Sequence, residues 1–294
     1  MIANNKFYVF GVNLTMILFV ISCIFPFLLL IMSSVTSEST LMHHGYSLIP
    51  RELSFGAYQY LWNMRGAILR AYMMSFIIAG VGVSTHVTLT ILFAYPLSKK
   101  DLPGRNVISF LVFFTMLFNG GLVPTFMVYT RLLNVTDSLA GMIVPYLLLN
   151  AFHIIIMRSY ISASIPGEVI EAAKVDGASE FTCFSYIIVP MSKPIISTIA
   201  LLATIAYWNN WTNGVYFLFQ RTDLFGIQNF LMAVMNNIAF LQQQAVAADI
   251  MVLQVPSVGV RMALAVLGVT PVLLMYPFFQ KSLVKGITLG SVKG

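Results

Sequence analysis

The chain has 294 residues, of which 59% are hydrophobic and only 9% charged. A soluble domain carries about 25% charged residues, so a chain this apolar is read as lipid-embedded, with room for about six spans of roughly 20 residues each. The net charge of +6 would suggest nucleic acid in a soluble protein. Here the basic residues flank apolar runs, as the positive-inside bias requires, and no nucleic-acid partner is expected.

Lys6 precedes an apolar run over residues 12–32. Val20-Ile21-Ser22-Cys23 resembles a lipoprotein cleavage box, but the run continues through Phe25-Pro26-Phe27-Leu28. That length suits a full span rather than a signal segment, so an uncleaved first helix is expected. Five further helices are predicted near 73–97, 107–130, 139–161, 185–207 and 258–280, because a lipid-exposed backbone must satisfy its own hydrogen bonds. The runs are too long and continuous for barrel strands. The expected fold is all-α, a polytopic membrane protein with six transmembrane helices.

Orientation follows from lysine and arginine. With these spans, ten basic residues fall on one side, including all eight lysines, and six arginines on the other. Both termini are then cytoplasmic. The organisation becomes a cytoplasmic N-terminus at 1–11, a first helix and outer loop at 12–72, a core domain at 73–280 with a cytoplasmic loop at 162–190, and a cytoplasmic tail at 281–294. Residues 33–72 and 208–257 form long outer loops. Cys23 lies in a span and Cys183 in the cytoplasmic loop, so no disulfide is expected.

The cytoplasmic loop is the most informative segment. Pro166 suits a first helical turn, Ser164 is a candidate cap, and Glu168 places acid at the positive end of the helix dipole. Val169, Ala172 and Ala173 share one face, and the two alanines let a partner backbone approach closely. Gly177 ends the helix at a position that calls for positive φ. Ser179 can cap a second helix leading to Pro190. Read alone, this is a helix–glycine–helix connector at the membrane surface, with Glu171 either solvated or aimed at a partner.

The ordered combination Glu171-Ala172-Ala173, Asp176-Gly177-Ala178 and Pro190, thirteen residues after the glycine, resembles the EAA loop of bacterial ABC importer permeases. The resemblance spans roughly residues 10–294. Asn119-Gly120-Gly121-Leu122-Val123-Pro124-Thr125 and Trp208-Asn209 look like carbohydrate-importer permeases. The ending, with Lys285, Gly286, Gly290 and Lys293, is similar to the tail of the smaller maltose-importer permease. The likeness is strongest to oligosaccharide and polysaccharide permeases of the lipoprotein-associated type in Gram-positive bacteria.

That resemblance implies a type I ABC importer fold in the bacterial cytoplasmic membrane. It implies a second homologous permease, two ATPase subunits (identical or different), an extracellular sugar-binding protein and a carbohydrate substrate. Coupling would run through Glu171, Ala172, Ala173, Asp176, Gly177, Ala178 and Pro190, with tail contacts from Lys285, Gly286, Gly290 and Lys293. The chain lacks a phosphate-binding Gly-x-x-x-x-Gly-Lys-Ser/Thr loop, so it is not expected to be an enzyme. ATP and Mg would sit in the partner ATPase. No metal-ligand spacing occurs in the sequence, and no cofactor is expected on this chain.

Two other functions were weighed. A secondary, ion-coupled transporter needs ionisable groups within spans; His86 and His153 are the candidates, each more simply read as a packed, hydrogen-bonded residue. An intramembrane enzyme needs a nucleophile–base pair or paired carboxylates, and none is suitably placed. For sugar contacts, Asn119, Asn150, Tyr207, Trp208, Asn209 and Trp211 have the right chemistry near the outer half of the spans. An interfacial aromatic belt accounts for the tryptophans equally well.

Overall fold

A computed structural model describes residues 6–247 and 257–291. Helices account for nearly all regular structure among them: α1 Lys6–Ser34, α2 Glu38–His44, α3 Gly56–Asn63, α4 Arg65–Ser98, α5 Arg105–Leu117, α6 Leu122–Met127, α7 Leu139–Ile143 and α8 Ala151–Ser164. These are followed by α9 Gly167–Val175, α10 Glu180–Cys183, α11 Val189–Met191, α12 Lys193–Trp208, α13 Thr212–Phe217, α14 Ile227–Ala247 and α15 Ser257–Ser291. By length and composition three of them can cross a membrane, within Lys6–Ser34, Arg65–Ser98 and Val258–Met275. The number rises to five if two bent pairs each count as one span, against the six expected.

The difference has local causes. The run at 107–130 breaks at Asn119-Gly120-Gly121, and α5 and the helix after it meet at 117°. Past α6 the chain makes a π-helical turn, Val128–Leu132. The run at 185–207 breaks at Ser192 with a 75° bend. Pro190 and Pro194 on either side remove two backbone donors there. The run at 139–161 divides into α7 and α8 around Pro145. Tyr146 in that gap takes φ +64°. The expected outer loop at 208–257 contains α13 and the whole of a long helix, α14.

The chain forms two compact units, Met1–Ile68 with Leu231–Pro271, and Leu69–Phe230 with Val272–Gly294. In the first unit, the side chains of α1 remain exposed almost throughout, apart from its last turns. The segment after it, expected to be an outer loop, is ordered by polar contacts. The Ser37 hydroxyl accepts from the Thr40 amide at the start of α2 and donates to the Glu52 carboxylate at 2.8 Å. Thr36 and Leu53 form an antiparallel bridge. The Glu38 carboxylate accepts the first free amides of α15, from Val258 at 2.8 Å and Gly259 at 2.9 Å. That places a negative charge at the positive end of a long helix.

In the second unit two apolar clusters hold the helices. One joins Ile91, Ala94 and Tyr95 of α4 to Met157 and Ile161 of α8 and Ile195 and Ile199 of α12. The other joins Ile78 and Ala79 to Met142, Ile143, Ala203 and Tyr207. Close approach of α4 and α12 depends on Gly82. A Cβ there would lie 2.5 Å from the Tyr207 ring, inside any tolerable contact.

Candidate coupling loop and translocation path

The loop at 162–190 folds as two short helices about a glycine. α8 runs through Ser164, so Ser164 does not cap the next helix. Pro166 occupies the cap position of α9 and contributes no side-chain bond. At the far end the amides of Asp176, Gly177 and Ala178 bond to the carbonyls of Ala172, Lys174 and Ala173. Gly177 takes φ +85°, a left-handed value costly for residues with a Cβ. Ser179 then caps α10 by accepting from the Thr182 amide at 3.2 Å.

Beyond the motif, apolar side chains stand out. Val175 is 88% exposed and Phe181 76%, one on each side of the glycine turn. Glu171 is exposed too. Pro190 lies in α11 at the membrane-ward end of the loop. Glu180, absent from the motif, bonds to Lys174 at 2.5 Å, to Lys99, and to the Tyr95 hydroxyl at 3.0 Å. The Glu180 hydrogen bond holds the Lys174 ammonium above its ordinary pKa. Nothing in the sequence pattern pairs positions 81 residues apart, so the Lys99–Glu180 contact was not legible there.

The divided span at 139–161 shows what makes an irregular backbone tolerable in a dry interior. Five of its carbonyls are bound by side chains. Asn213 Nδ2 donates to Met142 O at 3.1 Å and Pro145 O at 2.9 Å. The Tyr207 hydroxyl donates to Ile143 O at 3.1 Å. His86 Nδ1 lies 2.9 Å from Leu147 O and 3.1 Å from Leu148 O. Carbonyls only accept, so His86 carries its proton on Nδ1. Its Nε2 pairs with His153 Nδ1 at 2.8 Å, accepting from it when the His86 ring is neutral. The two histidines, weighed singly in the sequence, are one buried pair.

The residues expected to meet sugar have diverse roles. Asn150 caps α8 by accepting from the His153 amide at 3.3 Å. Asn119 closes a turn by accepting from the Gly121 amide at 2.9 Å. The Tyr207 hydroxyl is committed to Ile143. Trp208 is 1% exposed, with its ring 6.4 Å from Tyr72 in a stacked contact and 5.4 Å from Phe76 edge-on. Asn209 and Trp211 remain exposed, Trp211 by 43%. Asn209 Oδ1 accepts from Gln228 Nε2 at 3.5 Å, and the Trp211 carbonyl accepts from Asn229 Nδ2 at 2.6 Å. Of the tail residues, Lys285, Gly286 and Gly290 lie on the backbone of α15, which runs to Ser291. Lys293 lies outside the described residues. The described residues contain no cluster of three or more metal-ligating side chains.

Three long apolar helices, two further helix pairs joined across sharp bends, and buried side chains that satisfy a broken span define a polytopic helical membrane protein. The profile of the family described as binding-protein-dependent transport system inner membrane component matches residues 53–289. The chain is 34% identical over 283 residues to the polygalacturonan/rhamnogalacturonan transport system permease protein YtcP of Bacillus subtilis (strain 168), covering 95% of this chain and 96% of that one. It is 30% identical to the trehalose/maltose transport system permease protein MalG of Thermococcus litoralis, covering 95% and 94%. A crystal structure of a bacterial ABC transporter involved in the import of the acidic polysaccharide alginate contains a chain that matches with a TM-score of 0.75 and 27% identity, over 93% of this chain and 96% of that one. The chain belongs to the binding-protein-dependent transport family, as an inner-membrane permease component of an ABC transporter.

Proposed function

We propose that this chain forms half of the translocation path of an ATP-driven importer for a carbohydrate, an oligosaccharide, and couples to a cytoplasmic ATPase through the loop at 162–190. The observation that carries the coupling is the loop itself. Two short helices turn at Gly177 and hold Val175 and Phe181 in the open, beside Glu171, Ala172, Ala173, Asp176 and Ala178. An ATPase surface with an apolar recess and a basic group for Glu171 fits that shape. The carbohydrate reading is supported by the sugar transport permeases among its relatives.

The working assembly has a second homologous permease, two ATPase subunits that bind ATP and Mg, and an extracellular binding protein that delivers the sugar. Alternating access is a rocking of the two permeases against each other. Both termini face the cytoplasm, and Lys285, Gly286, Gly290 and Lys293 add ATPase contacts. Asn209 and Trp211 are the path residues with side chains exposed to meet sugar; Trp208 and Tyr207 hold them in place. Asn119 and Asn150 would meet sugar beside the turns they close.

The test is co-purification of the ATPase with membrane-inserted permease. Glu171→Ala and Gly177→Leu should each lose the ATPase while the permease still reaches the membrane. Undiminished ATPase recovery with Gly177→Leu would refute the docking role.

A further inference from the structure

Glu180 is the point at which three segments of the second unit converge. Its Oε1 accepts from Lys174, at the end of α9 and across the Gly177 turn. Its Oε2 accepts from Tyr95 and Lys99, at the end of α4. The carboxylate therefore divides its two oxygens between the loop and a span. The α4 side is stiff. Tyr95 is buried, its ring packs 5.6 Å from Phe184, and the Lys99 ammonium sits 4.5 Å over that same ring. Ser179 fixes the other side by capping α10, which starts at Glu180.

From this we infer that Glu180 is a positioning residue that makes the Gly177 loop and the end of α4 move as one body, so that a displacement imposed on the loop reaches a membrane span directly. The inference rests on the docking role proposed for the loop. A lone exposed ion pair would be too weak for such a task, since water competes for it. Three donors on one carboxylate, one of them a buried phenol, make a network with a single geometry. The connection also joins the loop to a span far from it in the chain, whereas the backbone leaving the loop towards α12 first crosses the 75° break at Ser192.

The arms can be cut separately. Tyr95→Phe with Lys99→Met removes the α4 arm and leaves Lys174–Glu180. Glu180→Gln keeps one acceptor oxygen and cannot serve both arms. Lys100→Met is the control, a change of the same charge at the neighbouring lysine. The experiment uses the full complex with its co-purifying ATPase in nanodiscs, with the exposed native cysteine removed by Cys23→Ser. Spin labels at Ser84→Cys on α4 and Glu168→Cys on α9 report the distance between span and loop, with and without ADP–vanadate trapping.

Expected is a narrow label distribution in both states for the parent complex and Lys100→Met. For the α4-arm variant and Glu180→Gln, trapping should broaden it, with ATP-driven uptake per ATP hydrolysed, read from the same complexes reconstituted in proteoliposomes, down about five- to tenfold and the ATPase still bound. A distribution as narrow as the parent's in the α4-arm variant overturns the brace and leaves docking intact. Loss of the ATPase from that variant also overturns it, by assigning these residues to docking or folding. Retention of the ATPase by Gly177→Leu would instead remove the docking role on which the brace rests.

Discussion

Asn213→Leu isolates the cost of an irregular backbone in a dry interior. Asn213 is buried, and its amide donates to the carbonyls of Met142 and Pro145 at 3.1 and 2.9 Å. Leucine has similar bulk and no donor, so the change deletes two hydrogen bonds and strands two acceptors. Inter-helix hydrogen bonds in membranes average about 0.6 kcal/mol with a maximum near 1.7. Buried unsatisfied groups in water-soluble proteins cost about 1–3 kcal/mol each. Two bonds on the membrane scale give about 1–3 kcal/mol in all. Thermal unfolding of the permease complex in nanodiscs is the assay, with a midpoint lowered by about 2–4 °C per kcal/mol for a chain near this size. Asn213→Asp adds a second test, because only a neutral carboxyl can donate. Burial raises its pKa, so its stabilising contribution is complete below the unfolded carboxyl value of about 3.9 and is lost as pH rises from there through the raised folded value. An Asn213→Leu midpoint equal to the parent's would refute the claim that this side chain supports the break.

Three further outcomes are expected. Glu38→Ala should remove the charge-assisted cap of α15 and cost about 1 kcal/mol, read as faster hydrogen exchange at Val258 and Gly259; unchanged exchange would count against the cap. The amides of Phe219, Gln220 and Arg221 all bond to Asp137, and the Arg221 and Gln220 amides do most to hold its carboxyl below the ordinary value. Its contribution is then complete above the unfolded carboxylate value of about 3.9 and lost as pH falls through the lower folded value, so Asp137→Asn should flatten the acid limb of a melting-temperature profile; an identical limb contradicts this. Trp208→Ala should lower stability by about 3–5 kcal/mol as a core truncation, whereas Trp211→Ala should leave stability near parent levels and reduce uptake. The reverse pattern, measured by melting and by uptake per molecule inserted, would reassign the sugar contact to Trp208.

The continuous apolar helices were readable because composition alone makes them, as in α1, α4 and the first half of α15. The breaks were written in the sequence as well, at Gly120-Gly121, Pro145 and Pro190 with Pro194. Their effect on a span depends on whether tertiary partners satisfy the freed backbone groups, and periodicity carries no such information. Helix α14 escaped for another reason. Its buried residues Ile227, Leu231, Val234 and Ile238 keep helical spacing, but the intervening amides Gln228, Asn229, Asn236 and Asn237 dilute the hydropathy of the stretch. In the loop, Pro166, Gly177 and Ser179 signal helix ends through local backbone chemistry, so two helices were foreseeable. The bonds of Glu180 to α4, and the burial of Trp208 beside an exposed Trp211, are long-range facts that no local signal encodes.

The broken span also imposes an order on biogenesis. The donor for Leu147 and Leu148, His86, precedes them by 61 and 62 residues and leaves the ribosome first. The donors for Met142, Ile143 and Pro145, on Tyr207 and Asn213, follow by 64 to 71 residues. During synthesis the carbonyls of Met142, Ile143 and Pro145 therefore wait, through the emergence of the whole segment 162–190, for partners that do not yet exist. Lipid cannot serve as the waiting room, because it offers no donors. The segment must linger in a wet or proteinaceous site until α12 and α13 arrive, which makes the second half of this chain the chaperone of its own middle.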